Sequence, residues 1–172
     1  MKKNQHCGYV GILVLYMKII KMVFLFVTIC IISSCTHSFQ KSSYIENLCE
    51  DIVFCFDKRD SEALKKLFCD EIQARLELDS EIKTAFDKYN GTSLSYHITD
   101  KEMDESVMRN GVYIMKRYVP SICDIFTNEE KEYTISFNTY ELCDSKPSKE
   151  GITILVLYDD SGNQLAVIGG QD

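Results

Sequence analysis

The hydrophobic pattern of this chain changes period once, at Asn90-Gly91, and no other feature restricts the fold as much. Before that point apolar residues recur at helical spacing. Ile45, Leu48, Ile52 and Cys55/Phe56 predict a helix capped by Ser43 and running to about Lys58. Asp60 is placed to cap a second helix, Ser61 to Cys69, with Leu64, Leu67 and Phe68 on its apolar side. A short helical piece follows near Glu71 to Leu76. Asp79 is expected to cap a third clear helix that turns Ile82, Ala85, Phe86 and Tyr89 inward and stops at Asn90-Gly91.

After Gly91 the period is two. Leu94, Tyr96 and Ile98 alternate with Ser95, His97 and Thr99. Asp100 to Asn110 reads as a charged connection closed by Asn110-Gly111. Val112 to Val119 is a strand ended by Pro120, with Ile122 to Phe126 continuing beyond the bend. After a turn over Thr127 to Lys131, Tyr133, Ile135 and Phe137 alternate with Thr134, Ser136 and Asn138 on a long strand. Lys146-Pro147-Ser148 sits in a loop. Ile152 to Tyr158 is apolar on both faces, which marks a central strand. Asp159 to Gly162 is a hairpin turn, and Gln164 to Ile168 returns as the last strand. Helices followed by an antiparallel meander make an α+β domain. The expectation is three main helices packed on one face of a curved antiparallel sheet of at least four strands. Ile135, Phe137, Ile154 and Val156 are expected in its core. The opposite, concave face is left for a ligand. There is no repeat and no second domain.

The first 34 residues read differently. Met22 to Ile32 is an unbroken apolar run behind a short basic segment, Met17 to Lys21, and it leads to Ser33-Ser34-Cys35. Basic, apolar and small-residue regions in that order make a secretory signal. An aliphatic residue, two small residues and a cysteine resemble the bacterial lipobox. Small side chains admit the peptidase, and the Cys35 thiol is the nucleophile that takes the lipid, with acyl chains such as palmitate. The boundaries that follow are a signal peptide over 1–34, with Met17 as the expected start of translation, then the lipidated Cys35 and a polar tether over 35–43, and a single domain over 44–172. An uncleaved anchor from Val10 to Ile32 is the competing reading, and Lys18 and Lys21 near mid-membrane argue against it. The expected location is the outer side of the cytoplasmic membrane, held there by lipid on Cys35.

Charge narrows the partners. The leader holds four of the 19 Lys and Arg residues and none of the 26 Asp and Glu residues, which leaves the rest of the chain at −11. Such a domain repels phosphate backbones, so no nucleic-acid partner is expected. Beyond the leader and Cys35, five cysteines remain: Cys49, Cys55, Cys69, Cys123 and Cys143. No pair has a zinc-like spacing. Cys49 and Cys55, six apart on a helix, point about 120° away from each other. They are read as free, mostly buried thiols, with one or two disulfides as the alternative outside the cell.

The chain carries no catalytic motif, and neither a metal nor a cofactor is expected. His97 lies on the more polar face of the first strand, and a solvated surface histidine is the plain reading. The acids Asp100, Glu102, Asp104 and Glu105 lack the glycine and terminal glutamate of a calcium loop. The tyrosines Tyr113, Tyr118, Tyr133, Tyr140 and Tyr158 read first as sheet packing. If a pocket exists, they line it together with Thr134, Ser136 and Asn138. His97, Tyr113, Thr134, Ser136 and Asn138 are therefore the candidate ligand-binding residues.

Three stretches carry a family resemblance: Asp60 to Cys69 (DSEALKKLFC), Asp79 to Gly91 (DSEIKTAFDKYNG) and Glu132 to Gly162 with its Pro147-x-x-Glu150-Gly151-Ile152 segment. With a lipobox in front, the chain resembles the bacterial lipoprotein family of domain of unknown function 5104 over nearly all of residues 44–168. The resemblance implies a cystatin-like, nuclear-transport-factor-two-like cone and an envelope location, and it carries no catalytic residue across. The function expected is a non-enzymatic module that binds a small ligand or an envelope protein. The alternative is a small-molecule enzyme of isomerase or dehydratase type using the concave face. An enzyme needs a titratable group at a pocket floor, and His97, Glu132 and Glu141 are the strand-borne candidates. On the lipobox reading, Cys35→Ser abolishes lipidation, and fractionation of cells then finds the protein released or mislocalised. Retention in the membrane with the leader uncut favours the anchor.

Overall fold

The computed structural model describes residues 44–170. Helix α1 spans Tyr44–Lys58 and buries Ile45, Leu48, Cys49, Ile52, Val53, Cys55 and Phe56 along one stripe. Arg59 ends it with a φ of 53°. The Arg59 guanidinium then donates to the carbonyls of Phe86 and, at 2.8 Å, Tyr89. It thereby satisfies carbonyls that a helix C-terminus leaves without partners. Helix α2 spans Ser61–Leu67, and the Asp60 carboxylate accepts from the Ala63 N–H at 2.9 Å, as the sequence predicts. It stops two residues short of Cys69, because the Cys69 N–H bonds to the Ile152 carbonyl at 2.9 Å and Phe68 forms a parallel bridge with Ile152. The short α3 spans Asp70–Gln73.

Helix α4 spans Leu78–Lys88 and buries Leu78, Ile82, Ala85 and Phe86. Asp79 does not cap it. Glu77 occupies the cap position without a side-chain bond. Asp79 lies in the first turn, and Lys65 donates to its carboxylate at 2.7 Å.

The sheet has seven strands among the described residues: β1 Ser93–Thr99, β2 Glu105–Arg109, β3 Val112–Tyr118, β4 Ser121–Thr127, β5 Glu132–Cys143, β6 Gly151–Asp159 and β7 Gln164–Gly169. All pairings between them are antiparallel. The α+β class is as expected. β6 pairs with β5 from Tyr133 to Tyr140, so β5 has only one edge left for both β3 and β4. β4 takes Glu132 to Ser136 of that edge, and β3 takes Thr139 to Cys143. The two are one strand bent at Pro120, which cannot donate to a ladder. β1 then pairs with β4 and β2 with β3.

Residues Glu105 to Arg109 form a strand where a loop is expected. All five are exposed, so no apolar alternation announces it. β1 does alternate, but Leu94 on its apolar side is 67% exposed.

The core lies between the helices and one face of the sheet. Tyr133, Ile135, Phe137 and Thr139 of β5 are buried there with Ile152, Leu155 and Leu157 of β6. Ile135 and Phe137 are therefore core residues, but Ile154 and Val156 are not. The register sets Ile135 beside Leu157 and Phe137 beside Leu155, which turns Ile154 and Val156 to the other face, where they are half-buried. Cys49, Cys55, Cys69 and Cys143 are buried and Cys123 is half-buried, all as free thiols. Burial pushes the Cys49 thiol up to about 12 and that of Cys55 to about 11.

The end of β7 is fastened to α4. The Gly169 N–H donates to Glu81 Oε2 at 2.8 Å, and Arg75 Nη2 donates to Glu81 Oε1 at 2.9 Å. Gly169 has a φ of +77°, and a Cβ there would stand 2.6 Å from the Thr153 carbonyl oxygen. Gly169→Ala is expected to destabilise the fold by about 2–4 kcal/mol, read from urea unfolding. A loss below about 0.5 kcal/mol would contradict this close approach.

Candidate functional site

The face of β5 turned away from the helices carries Thr134, Ser136, Asn138 and Tyr140 in a row, because their odd-numbered neighbours fill the core. Two clefts open on this face.

The first has a volume of about 480 Å³. It lies where α3 and the 3₁₀ turn Pro147–Lys149 meet the sheet. Arg117 of β3, Asn138 and Tyr140 of β5, Lys149, and Thr153 and Ile154 of β6 line it, with Ile72 of α3 adding apolar surface. Register brings these residues together: Arg117 pairs with Tyr140, and Asn138 with Ile154. Glu71 is the acid on its wall, and it is already engaged. Lys146 Nζ donates to Glu71 Oε1 at 2.7 Å and Ser148 Oγ at 2.6 Å, and these bonds hold the carboxyl below the usual range. Arg117 meets Asp104 and Glu105 only at 3.4 Å each. The Tyr140 hydroxyl, the Asn138 amide and the Lys149 ammonium form no side-chain hydrogen bond among the described residues. The cleft therefore presents donors without committed acceptors beside a patch of isoleucine.

The second cleft, of about 420 Å³, is acidic. Thr134, Ser136 and Tyr158 line it with Asp124, Glu132, Asp159 and Asp160. Its polar groups are largely spoken for. The Ser136 and Ser121 hydroxyls are 2.8 Å apart. Asp159 accepts from the Asn163 amide, from the Asn163 N–H and from the Ser161 N–H at 3.0, 2.7 and 3.0 Å, which keeps its carboxyl below the ordinary range. Those bonds build the β6–β7 turn.

Of the five residues singled out from the sequence, Thr134 and Ser136 fall in the second cleft and Asn138 in the first. His97 and Tyr113 fall in neither. β1 lies outside β4 and the β2–β3 pair outside the opposite half of β5, so the sheet holds these two residues apart. His97 Nδ1 is 3.2 Å from Asp124 Oδ2, and both side chains are more than half exposed. Tyr113 lies under Lys116, whose Nζ is 5.3 Å from the ring centroid. Among the acids, Glu132 is exposed at the start of β5. Glu141 accepts from the Tyr118 hydroxyl at 2.7 Å and from Lys116 at 3.3 Å. Burial and then the Glu141 carboxylate push the Tyr118 hydroxyl above its usual range, so it stays a donor. Of the three, only Glu132 lines one of the two clefts, the acidic one, and it is exposed.

Arg117, Lys149 and Thr153 were not legible as site residues. The only local hint is that Lys149 and Thr153 flank the Glu150-Gly151-Ile152 segment. Among the described residues no cluster of three or more His, Cys, Asp or Glu side chains is arranged to hold a metal ion. No helix among them is long and apolar enough to cross a membrane, and residues 1–43, with Cys35, lie outside them.

A family model described as Domain of unknown function (DUF5104) matches residues 51–160, from within α1 to the end of β6. No curated protein matches the chain. With both side chains largely in solvent, the His97–Asp124 pair is worth little. His97→Ala is expected to shift unfolding free energy by less than about 0.5 kcal/mol, and a larger loss in chemical denaturation would give that pair a structural role.

Proposed function

The chain belongs to the family of domain of unknown function 5104, and from that premise we propose that it is a lipid-anchored binding module on the outer side of the cytoplasmic membrane. In this reading residues 1–34 are the signal peptide, Cys35 carries the lipid, 36–43 are the tether and 44–172 are the binding domain. The fold is of the cystatin-like, nuclear-transport-factor-two-like type. Helices followed by a sheet whose β3–β4 strand bends at Pro120 support that assignment.

The observation that carries the binding role is the first cleft. Arg117, Asn138, Tyr140 and Lys149 bring donors to one place, and Ile72 and Ile154 supply apolar contact. A small ligand rich in acceptors fits that lining. Each hydrogen bond it makes to Arg117 is charge-assisted, which is the stronger kind. His97, Glu132 and Glu141 all lie outside this cleft, which favours binding over turnover there.

A thermal-shift screen of the full chain against envelope metabolites and cell-wall fragments tests the role. A ligand present at 100 times its Kd adds about 2.7 kcal/mol of stability. Arg117→Ala and Tyr140→Phe are expected to weaken binding, the first by about tenfold or more. A hit whose affinity both variants leave untouched places binding elsewhere, and a hit that is also converted to product refutes the binding-only role.

A further inference from the structure

The β2–β3 hairpin carries an edge that a second copy of itself complements. β2 is the outermost strand beyond β3, and all five of its residues are exposed. Val107 and Met108 are 41% and 53% exposed, and on β3 Tyr113 beside Met108 and Val112 beside Arg109 are exposed as well. The register shifts between Val107 and Met108, but the extra residue, Ile114, lies on β3, so β2 keeps its own period of two. β3 joins β5 only from Met115 onward, so this apolar end of the hairpin runs past the sheet.

A bare strand edge offers a row of backbone donors and acceptors to any strand that can approach it. Proteins commonly guard such edges with a mid-strand charge or a proline. Here Val107 stands in the middle, and the charges stand at the ends with opposite signs, Glu105 and Arg109.

We propose that β2 pairs antiparallel with β2 of a second copy of this chain, about a two-fold axis at Val107. In that register Glu105 faces the second copy's Arg109, and the symmetry repeats the pair. Ser106 faces Met108 of the second copy, and Val107 faces its own equivalent. The period of two puts Glu105, Val107 and Arg109 on one face, so the two ion pairs flank the valine contact. A slide of two residues in either direction sets Glu105 or Arg109 against Val107 instead, and a parallel arrangement sets like charges side by side, which is unfavourable. Both charges are available for the exchange. Arg109 makes no ion pair among the described residues, and Glu105 is held only by Arg117 at 3.4 Å. The interface is small beside the roughly 1,200 Å² of stable complexes, so the association is weak and rises with concentration.

The full chain, purified in detergent, carries the test, with the unsubstituted protein as the control for its own thiols. Val107→Cys brings two thiols together on the axis and is expected to give a disulfide-linked dimer under mild oxidation. Glu105→Cys puts its equivalent four residues along, roughly 13 Å away, beyond the reach of a disulfide. Cross-linking at Val107→Cys should therefore be at least about tenfold faster than at Glu105→Cys. In sedimentation, Arg109→Glu or Glu105→Arg alone should weaken self-association about tenfold, since each reversal turns two attractive pairs repulsive. The double exchange should restore it. Thermal melts report whether each variant is folded, which is expected for substitutions on so exposed a strand. Equal cross-linking at the two positions, or a double exchange no better than either reversal in folded protein, overturns the proposal.

Discussion

One carboxylate joins the helical half to the start of the sheet. Asp57, near the end of α1, accepts from the Ser93 N–H at 2.9 Å, from the Ser93 hydroxyl at 2.5 Å and from the Tyr89 hydroxyl at 3.2 Å. One residue thus ties α1 to the C-cap of α4 and to the first residue of the sheet. The aromatic rings behind it extend the join. Phe56 meets Phe86 and Tyr89 edge-on at 5.2 and 5.3 Å, and Tyr89 lies 4.8 Å from Tyr133 of β5. Such rings contribute through their large buried area, with a further stabilisation from their mutual orientation. The Tyr133 hydroxyl in turn accepts from the Asn90 N–H at 3.0 Å, so the chain leaving α4 is held as it turns toward β1. This is the point where the sequence changes from helical to strand period. The polar bonds there set the direction of the chain, and the apolar rings supply the burial.

From that join, β5 acts as the spine. Its core-facing residues anchor the helices, and its opposite face supplies Thr134, Ser136, Asn138 and Tyr140 to the clefts. Because Pro120 bends one long strand into β3 and β4, the two halves of β5 meet different outer strands. The clefts inherit that division. The one near β3 receives Arg117 and the 3₁₀ turn with Lys149, and the one near β4 receives Asp124 and the acids of the β6–β7 turn. A domain with a strong acidic excess thereby keeps one cleft lined with donors. The outer strands also carry the exposed apolar edge at β2, at the far end of the hairpin from the join.

Much of the fold was legible because burial leaves a period. Tyr133, Ile135 and Phe137 alternate with polar residues, and their strand and its buried face follow from that pattern alone. Asp60 was legible as a cap because its side chain acts within its own turn. Asp79 was misread for a related reason: the same residue type also forms ion pairs, and Lys65 fourteen positions away took it. β2 left no period because neither of its faces is buried. Ile154 and Val156 were assigned to the core because β6 is apolar on both faces, and only its pairing with β5 decides which set turns inward.

By itself the sequence determined the α+β class and the placing of the helices ahead of the strands, which follow from short-range spacing, and three stretches of it carried the resemblance to the family. The tertiary structure decided which face of β6 enters the core, that β3 and β4 share one edge of β5, and which side chains meet in a cleft. Arg117, Asn138 and the Lys149-to-Thr153 segment are separated in the chain and become neighbours only through strand register and the docking of the 3₁₀ turn against α3. Register is set by many backbone and side-chain contacts acting together. No local window of sequence contains them, so the outline of the domain could be read from the chain while the chemistry of its clefts could not.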